Sequence, residues 1–306
     1  MKKKLALVLA MLMVVSLCAC GSSSTPAAPA APAAPAAPAV YKVGICNFVD
    51  DASLNQIVEN IESRLLELAK ENGVTIEILD QNANADAALL QQIVTNFIDE
   101  GVDLMVGVAT PVAVTMQTLT EDTDIPVVFA AVSDPVGAGL VDSMEVPGGN
   151  VTGTSDGLNV DALLKLMDKA IPDCGKVALL YDLGQDSSNA AISQAKEILT
   201  AKGMDFADYT GTTTDELKLA VDALIADGCT AVFTPTDNSV MTAELAIYET
   251  LAEAGVAHFA GADSFALNGA LVGYGVNYID LGKATAEMVL PLLLGASPAE
   301  TPVRTF

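Results

Sequence analysis

The first candidate for catalysis in this chain is Ser155, at the centre of a G-x-S-x-G pattern over residues 153–157. In hydrolases this pattern presents a nucleophilic serine on a strand-to-helix turn, with an aspartate and a histidine later in the chain. The base would have to be His258, the only histidine, which lies in the apolar run 256–260, where a packed, hydrogen-bonded histidine is expected. We interpret Ser155 and the adjacent Asp156 as polar groups that face a cleft, with serine hydrolysis as the enzymatic alternative.

Metal and nucleotide chemistry has less support in the sequence. Residues 80–85 begin like a calcium-binding loop, but Ala85 occupies the position of the required glycine and Gln91 that of the bidentate acid. The sequence contains no GxxxxGK phosphate-binding loop, and a single histidine cannot form a histidine-rich metal site. We expect no metal, no cofactor and no catalytic residue.

The overall charge restricts the binding partners. The 306 residues include 14 Lys and Arg against 39 Asp and Glu, which gives a formal net charge of -25. This charge argues against nucleic acid and anionic membrane surfaces as partners. Hydrophobic residues make up 51% of the chain, enough apolar surface for a large core, so we expect a folded protein.

Polar residues with binding chemistry cluster directly after apolar runs or at the starts of predicted helices. Ligands of open α/β sheets bind at the carboxyl ends of strands, and free N–H groups at helix starts bind carboxylates. Capping of the following helix is the alternative role. The clusters contain Thr110, Ser133, Asp134, Ser187, Ser188, Thr236, Asp237 and Asn238.

These clusters are positioned by short apolar runs that alternate with amphipathic stretches, a pattern that predicts parallel sheets covered by helices. The predicted strands are 42–48, 74–79, 103–109 and 126–132 in a first series, and 176–181, 204–209, 230–234 and 256–260 in a second. A further strand is expected near 270–275, followed by a helix over 280–294.

The two series form an internal repeat, because residues 86–101 align with 213–228, and Thr110 and Asp237 each stand nine residues beyond the terminal glycines. General similarity between βαβ units is the alternative explanation. We predict an α/β protein of two Rossmann-like (flavodoxin-like) lobes, each a parallel sheet flanked by helices, joined by a multi-crossing hinge with a ligand cleft between them. The predicted boundaries are 41–155 plus 263–297 for the N-terminal lobe and 156–262 plus 298–306 for the C-terminal lobe.

The N-terminus carries a targeting segment. Three lysines precede an apolar run over 5–20 that is short for a membrane span and typical of a secretory signal. The run ends in a pattern that resembles the bacterial lipobox, so we expect a signal peptide over 1–19 and lipid attachment at Cys20. Cleavage after Ala19 without lipidation is the alternative.

Prolines at every third residue predict an extended linker over 20–40. With the lipid at Cys20, we expect an extracytoplasmic protein anchored by lipid to the bacterial cell membrane.

Six runs of sequence together resemble the substrate-binding lipoproteins of a family of ABC importers associated with tryptophan and other hydrophobic or aromatic amino acids. The runs are 109–111, 125–129, 133–140, 147–153, 235–238 and 278–282. The resemblance implies a type I periplasmic-binding-protein fold, capture of a small solute for import, and an ABC permease with its ATPase subunit as partners. It also implies that this chain makes or breaks no bond. The chain departs from the family at 50–51, with Asp-Asp in place of Glu-His, and at 187–188, with Ser-Ser in place of the common Asn-Ser.

An amino-acid ligand needs donors for its carboxylate and an anionic acceptor for its ammonium, because buried charges must be paired. The expected carboxylate-binding residues are Thr110, Ser133, Ser187 and Ser188, with helix-start N–H groups. The expected ammonium acceptor is Asp237, with Asp134 and Asp263 as further candidates, while Phe48 would pack on an apolar side chain. The other expected site residues are Ser155, Asp156, Thr236 and Asn238. A sugar or nucleoside is the alternative ligand, although sugar sites usually stack rings on aromatic side chains and this chain has no Trp.

Overall fold

The computed structural model describes residues 39–306. The predicted signal peptide, Cys20 and the linker up to residue 38 lie outside this part, so those predictions stay predictions. Among the described residues, no helix combines the length and the apolar character needed to cross a bilayer.

Strands and helices alternate through the described chain. The first series comprises β1 (Val40–Asn47), α1 (Ala52–Asn72), β2 (Thr75–Asn82), α2 (Ala87–Asp99), β3 (Leu104–Val108), α3 (Thr110–Thr120), β4 (Val127–Ala130) and β5 (Val151–Ser155). The second comprises α4 (Val160–Ala170), β6 (Lys176–Tyr181), α5 (Asp186–Lys202), β7 (Phe206–Thr210), α6 (Thr214–Ala226), β8 (Cys229–Thr234), α7 (Asn238–Glu253), β9 (Ala257–Ala260), α8 (Asp263–Leu267) and β10 (Val272–Gly273). The chain ends with α9 (Tyr278–Leu293), a 3-10 turn (Pro298–Glu300) and β11 (Arg304–Thr305).

Two parallel sheets organise these elements. The first has the strand order β11-β5-β4-β3-β1-β2, and the second has the order β10-β9-β8-β6-β7. Every residue of β3 and β4 is buried, as expected for strands that helices cover on both faces. The arrangement confirms the predicted α/β fold of two parallel sheets flanked by helices.

The ends of α2 and α6 explain the internal repeat. Asp86 caps α2 and Thr213 caps α6, each by accepting hydrogen bonds from backbone N–H groups of the first turn. Each helix is followed by a glycine in the left-handed region, with φ of 66° at Gly101 and 74° at Gly228. L side chains rarely adopt this conformation, so both helices need glycine at the same place.

The sheet topology corrects the predicted lobe boundaries near the C-terminus. β10 pairs with β9, so the chain up to residue 273 stays with the second sheet, whereas the sequence boundaries assign 263–297 to the N-terminal lobe. β11 pairs with β5 of the first sheet, whereas 298–306 is assigned to the C-terminal lobe. Each strand has only two residues and is held by backbone pairing to an edge, which a hydrophobic pattern does not reveal.

The corrected topology places two crossings between the lobes in the described chain. Residues 156–159 lead from β5 of the first sheet to α4, which packs against β9 of the second. Residues 274–277 lead back from β10 to α9, which packs on α1 and β4 of the first lobe. Both crossings follow directly after strands, so the hinge lies next to the carboxyl edges of β5 and β10.

Candidate functional site

A narrow cleft lies between the two lobes, at the carboxyl edges of both sheets. We call it the interlobe cleft. It is lined by Ser53, Leu54, Ala109, Thr110, Ala131, Ser133 and Tyr278 of the first lobe, by Asp156 of the first crossing, and by Ser187, Thr236, Asn238 and Met241 of the second lobe.

Half of the sequence-predicted site residues line the interlobe cleft. They are Thr110, Ser133, Asp156, Ser187, Thr236 and Asn238. Sequence reasoning missed Ser53, Leu54, Ala131 and Met241, and it did not name Ala109 or Tyr278 as site residues. Ser53 and Leu54 open the helix after β1, so the same strand-end rule could have found them.

Hydroxyl groups from both lobes face the interlobe cleft. Within the described residues, the buried Oγ1 of Thr110 and Oγ of Ser187 have no hydrogen-bond partner. A buried polar atom without a partner costs free energy, so these two hydroxyls are suited to bind a ligand. Ser133 Oγ and Thr236 Oγ1 lie 2.7 Å apart and join the lobes by a direct hydrogen bond.

Asp156 is the one acid among the described residues that line the interlobe cleft. It is 6% exposed, and Ser133 Oγ donates to its Oδ1 at 3.1 Å. Burial raises the pKa of the Asp156 carboxyl to about 6, against the opposing effect of the Ser133 hydrogen bond. A ligand cation beside this carboxylate would offset the cost of its burial.

Asp237, the first-choice ammonium acceptor from the sequence, does not line the interlobe cleft, and this corrects the prediction. Its Oδ1 accepts the N–H of Val240 at 2.9 Å, and its Oδ2 accepts the N–H of Asp182 at 2.9 Å and the hydroxyl of Ser188 at 2.6 Å. The side chain is fully buried. Asp237 and Ser188 therefore hold the start of α7 against α5 and the end of β6.

Three other predicted residues also have roles away from the interlobe cleft. Phe48 is buried in the core of the first lobe. The carboxylate of Asp134 accepts the N–H of Gly137 at 2.8 Å within its own turn. Ser155 is buried within β5 rather than at a turn. None of these three is among the cleft-lining residues of the described chain, so the structure does not support them as ligand contacts.

Asp263 is not among the residues that line the interlobe cleft, but it contacts Ser53, which is. Ser53, at the start of α1 in the first lobe, donates its hydroxyl to Asp263, at the start of α8 in the second. Asp51, the N-cap of α1, accepts the N–H groups of Ser53 and Leu54. Burial raises the pKa of the Asp51 carboxyl, and the nearby Asp263 raises it further. Asp263 therefore joins the lobes and adds negative charge beside the site.

Two cleft-lining alanines have backbone conformations that favour glycine. Ala109, between β3 and α3, has φ of 77° and ψ of 156°, and Ala131, after β4, has φ of 54°. Conformations of this kind cost about 1–3 kcal/mol each and concentrate at functional sites. At Ala109 the chain turns so that Thr110, the first residue of α3, lies beside the interlobe cleft.

His258 has the structural role expected from its apolar surroundings. Its Nδ1 lies 3.0 Å from Glu244 Oε1 and its Nε2 lies 2.8 Å from Thr234 Oγ1, and all three side chains are buried. Both ring nitrogens are engaged, so His258 does not act on Ser155.

A Cβ on Gly153 would lie 2.1 Å from the Phe129 carbonyl oxygen, so close strand packing explains that glycine of the G-x-S-x-G pattern.

Known proteins match nearly the whole described chain. A family model described as ABC transporter substrate binding protein matches residues 42–306. A protein named tyrosine-binding protein from Clostridioides difficile (strain R20291) is 28% identical over 100% of this chain and 88% of its own length.

Two solved structures bear on the arrangement of the lobes. One, the ABC domain in complex with L-Trp from Streptococcus pneumoniae, is 29% identical, covers 88% of this chain and 90% of its own, and has a TM-score of 0.80. The other, a ligand-free, open substrate-binding protein with adhesive properties from Clostridium difficile, is 30% identical, covers 87% and 89%, and has a TM-score of 0.64. At similar identity the chain fits the complex better, which agrees with the direct Ser133–Thr236 bond and indicates closed lobes.

Proposed function

The chain belongs to the family of ABC transporter substrate-binding proteins, and on this basis we propose that it captures a hydrophobic or aromatic L-amino acid between its lobes. Proteins of this family act outside the cytoplasm and deliver a small molecule to an ABC permease. The proposal adds the class of ligand and the residues that hold it. Binding requires no bond to be made or broken.

The observation that carries the proposal is that hydroxyl donors and one buried acid line the same cleft. The hydroxyls of Thr110 and Ser187 can donate to a ligand carboxylate, together with N–H groups at the start of α5. Asp156 can accept the ligand ammonium. Leu54 and Met241 also line the cleft and can contact an apolar side chain of the ligand.

The relatives support the amino-acid class. The tyrosine-binding relative and the neighbour in complex with L-Trp are each similar to this chain over most of its length. Tyrosine and tryptophan share a zwitterionic backbone and a large aromatic side chain. An aromatic L-amino acid is therefore the first ligand to test.

A thermal-shift screen of residues 41–306 would test the ligand class. We expect one or a few apolar or aromatic L-amino acids to stabilise the protein, by about 2.7 kcal/mol when the ligand is at one hundred times its dissociation constant. D-enantiomers of the same amino acids serve as controls for nonspecific effects. A screen in which sugars or nucleosides raise the melting temperature and no amino acid does so would replace the proposal with the alternative ligand class.

We further propose that lipid attached to Cys20 anchors the protein to the cell membrane, on the strength of the lipobox-like pattern in the sequence. Cys20→Ala should abolish incorporation of a labelled fatty acid, because the thiol that carries the lipid is lost. Cys18→Ala is the matched control, since Cys18 lies within the predicted signal peptide and should leave labelling intact. Labelling of the Cys20→Ala protein, or no labelling of the parent, would show that the anchor is not there.

A further inference from the structure

Negative charge predominates in the interlobe cleft. Among the described residues that line it there is no Lys or Arg, and the groups facing a ligand carboxylate are neutral hydroxyls and N–H groups. Asp156 supplies negative charge directly. The interlobe cleft therefore offers a full negative charge to bind a cation, but only hydroxyl and N–H dipoles to bind an anion.

Two further acids increase this imbalance. Tyr278 lines the interlobe cleft, and burial raises the pKa of its phenol, with further increases from the negative charges of Asp156, Asp263 and Asp51. Within the described residues, none of these three acids forms an ion pair with a basic side chain. Asp156 thus shares the cleft lining with Tyr278, and Asp51 and Asp263 lie behind Ser53, another residue of that lining.

Like charges brought together in a buried site need a cation or a proton to offset them. A ligand ammonium beside Asp156 is attracted by all three carboxylates, whereas a ligand carboxylate is repelled by them. Among the hydroxyls, those of Ser133 and Thr236 already bond to each other, whereas those of Thr110 and Ser187 have no partner within the described residues and add only dipoles to the attraction of an anion. The ammonium should therefore contribute more to affinity than the carboxylate does.

We infer that the interlobe cleft binds apolar primary amines that lack a carboxylate, such as aromatic ethylamines, as a second class of ligand. This inference rests on the proposed function, since it assigns the same apolar lining and the same Asp156 to the ammonium. An amine forgoes the hydrogen bonds from Thr110 and Ser187, and it avoids placing an anion near Asp156. A carboxylic acid without the amine leaves the acids unpaired.

Calorimetry with three matched probes tests the inference at about pH 7. The probes are L-tryptophan, tryptamine, which lacks the carboxylate, and indole-3-propionate, which lacks the ammonium, with the corresponding tyrosine series in parallel. We expect the amine to bind within about tenfold of the amino acid and the acid to bind about a hundredfold more weakly or worse. An amine that loses more than about tenfold, or an acid that binds as well as the amine, overturns the inference.

The same measurements separate this inference from the proposed function. If an amino acid binds and its amine does not, only the inference is wrong. If neither amino acid nor amine binds in either series, the inference is wrong, and the proposed function is wrong as well if no apolar L-amino acid stabilises the protein in the thermal-shift screen.

Variants then identify the acid responsible. Asp156→Asn keeps the side-chain shape and should weaken tryptamine binding by about a hundredfold or more, whereas Asp134→Asn, in an exposed turn outside the cleft, should not. Tryptamine affinity that is unchanged in Asp156→Asn overturns the assignment. The comparison of probes on the unmodified protein does not depend on either variant folding.

Discussion

At the scale of single residues, Asp156 and Asp237 show how neighbouring donors decide the role of a buried acid. Asp237 accepts three hydrogen bonds from its own protein, two from backbone N–H groups and one from a hydroxyl. Asp156 accepts one side-chain hydrogen bond, from Ser133, and lines the interlobe cleft. Asp156 therefore retains acceptor capacity for a ligand, whereas the capacity of Asp237 is largely used in positioning α7.

Asp237→Asn should lower stability rather than ligand affinity. The amide can replace only one of the two oxygens, so at least one buried donor among Val240 N–H, Asp182 N–H and the Ser188 hydroxyl loses its acceptor. Leaving a buried donor unsatisfied costs about 1–3 kcal/mol, which urea unfolding would measure. Asp86→Asn is the control, because Asp86 is an exposed helix cap at which Asn serves equally well. A large loss of affinity at unchanged stability would return Asp237 to the ligand site.

The sequence could predict which residue types gather at the cleft but not which acid faces the ligand. Thr110, Ser133 and Ser187 follow from the rule that polar groups at strand ends and helix starts meet at one sheet edge. Asp156, Asp237 and Asp263 all satisfy that rule equally. The choice among them depends on which donors pack around each carboxylate, and those donors come from elements distant in the chain.

At the scale of elements, the junction of β3 and α3 combines a strained backbone with a binding function. The helix must begin immediately after the strand if Thr110 is to lie beside the cleft. Ala109 makes this turn with φ of 77° and ψ of 156°, a region almost confined to glycine. The position of α3 is therefore maintained against a local conformational cost.

Ala109→Gly should stabilise the protein by about 1 kcal/mol, because relief of about 1–3 kcal/mol of strain exceeds the roughly 0.5–1 kcal/mol that glycine loses in the unfolded chain. Ala113→Gly, inside α3, is the matched control and should destabilise by about 1 kcal/mol or more. Thermal or urea unfolding of both variants makes the comparison. Equal destabilisation by the two substitutions would show that Ala109 carries no strain.

Elements with a strong pattern were predictable, whereas of the two very short strands only β10 falls within a predicted strand, near 270–275, and its partner sheet was not predicted. The repeat in α2 and α6 is visible in the sequence because both helices need a cap and a terminal glycine at equivalent positions. β10 and β11 have two residues each, too few for any periodicity. Their sheet membership depends on which strand edge is vacant after folding, so the lobe boundaries could not be placed from the pattern.

At the scale of the whole molecule, closure of the lobes is linked to protonation. The closed arrangement buries Asp156 and raises its pKa to about 6, with Asp51 and Asp263 as the neighbouring acids and Tyr278 between them. An open cleft would expose Asp156 to water and return its pKa towards that of an ordinary aspartate, about 3.9. The closed form therefore binds more protons than the open form between about pH 4 and 6.

Lowering the pH should close the ligand-free protein. Between about pH 6 and 4, each unit of decrease favours closure by about 1 kcal/mol through Asp156. Small-angle scattering at pH 5 and pH 8 would measure this as a smaller radius of gyration at pH 5. Asp156→Asn should reduce the difference, and an equal radius at both values for the unmodified protein would contradict the link.

Asp156 lies on a crossing between the lobes, and this position affects how far a ligand bound to it moves when the lobes rotate. The crossings 156–159 and 274–277 line one cavity, so they lie side by side and define the line about which the lobes turn. In a rotation, each atom travels in proportion to its distance from the axis. A ligand held at Asp156 barely moves, while the outer ends of the lobes sweep through the largest arc. A permease that contacts the outer ends of the lobes would respond to the angle between the lobes rather than to the ligand itself. Two chemically different ligands that produce the same angle would then be transported alike.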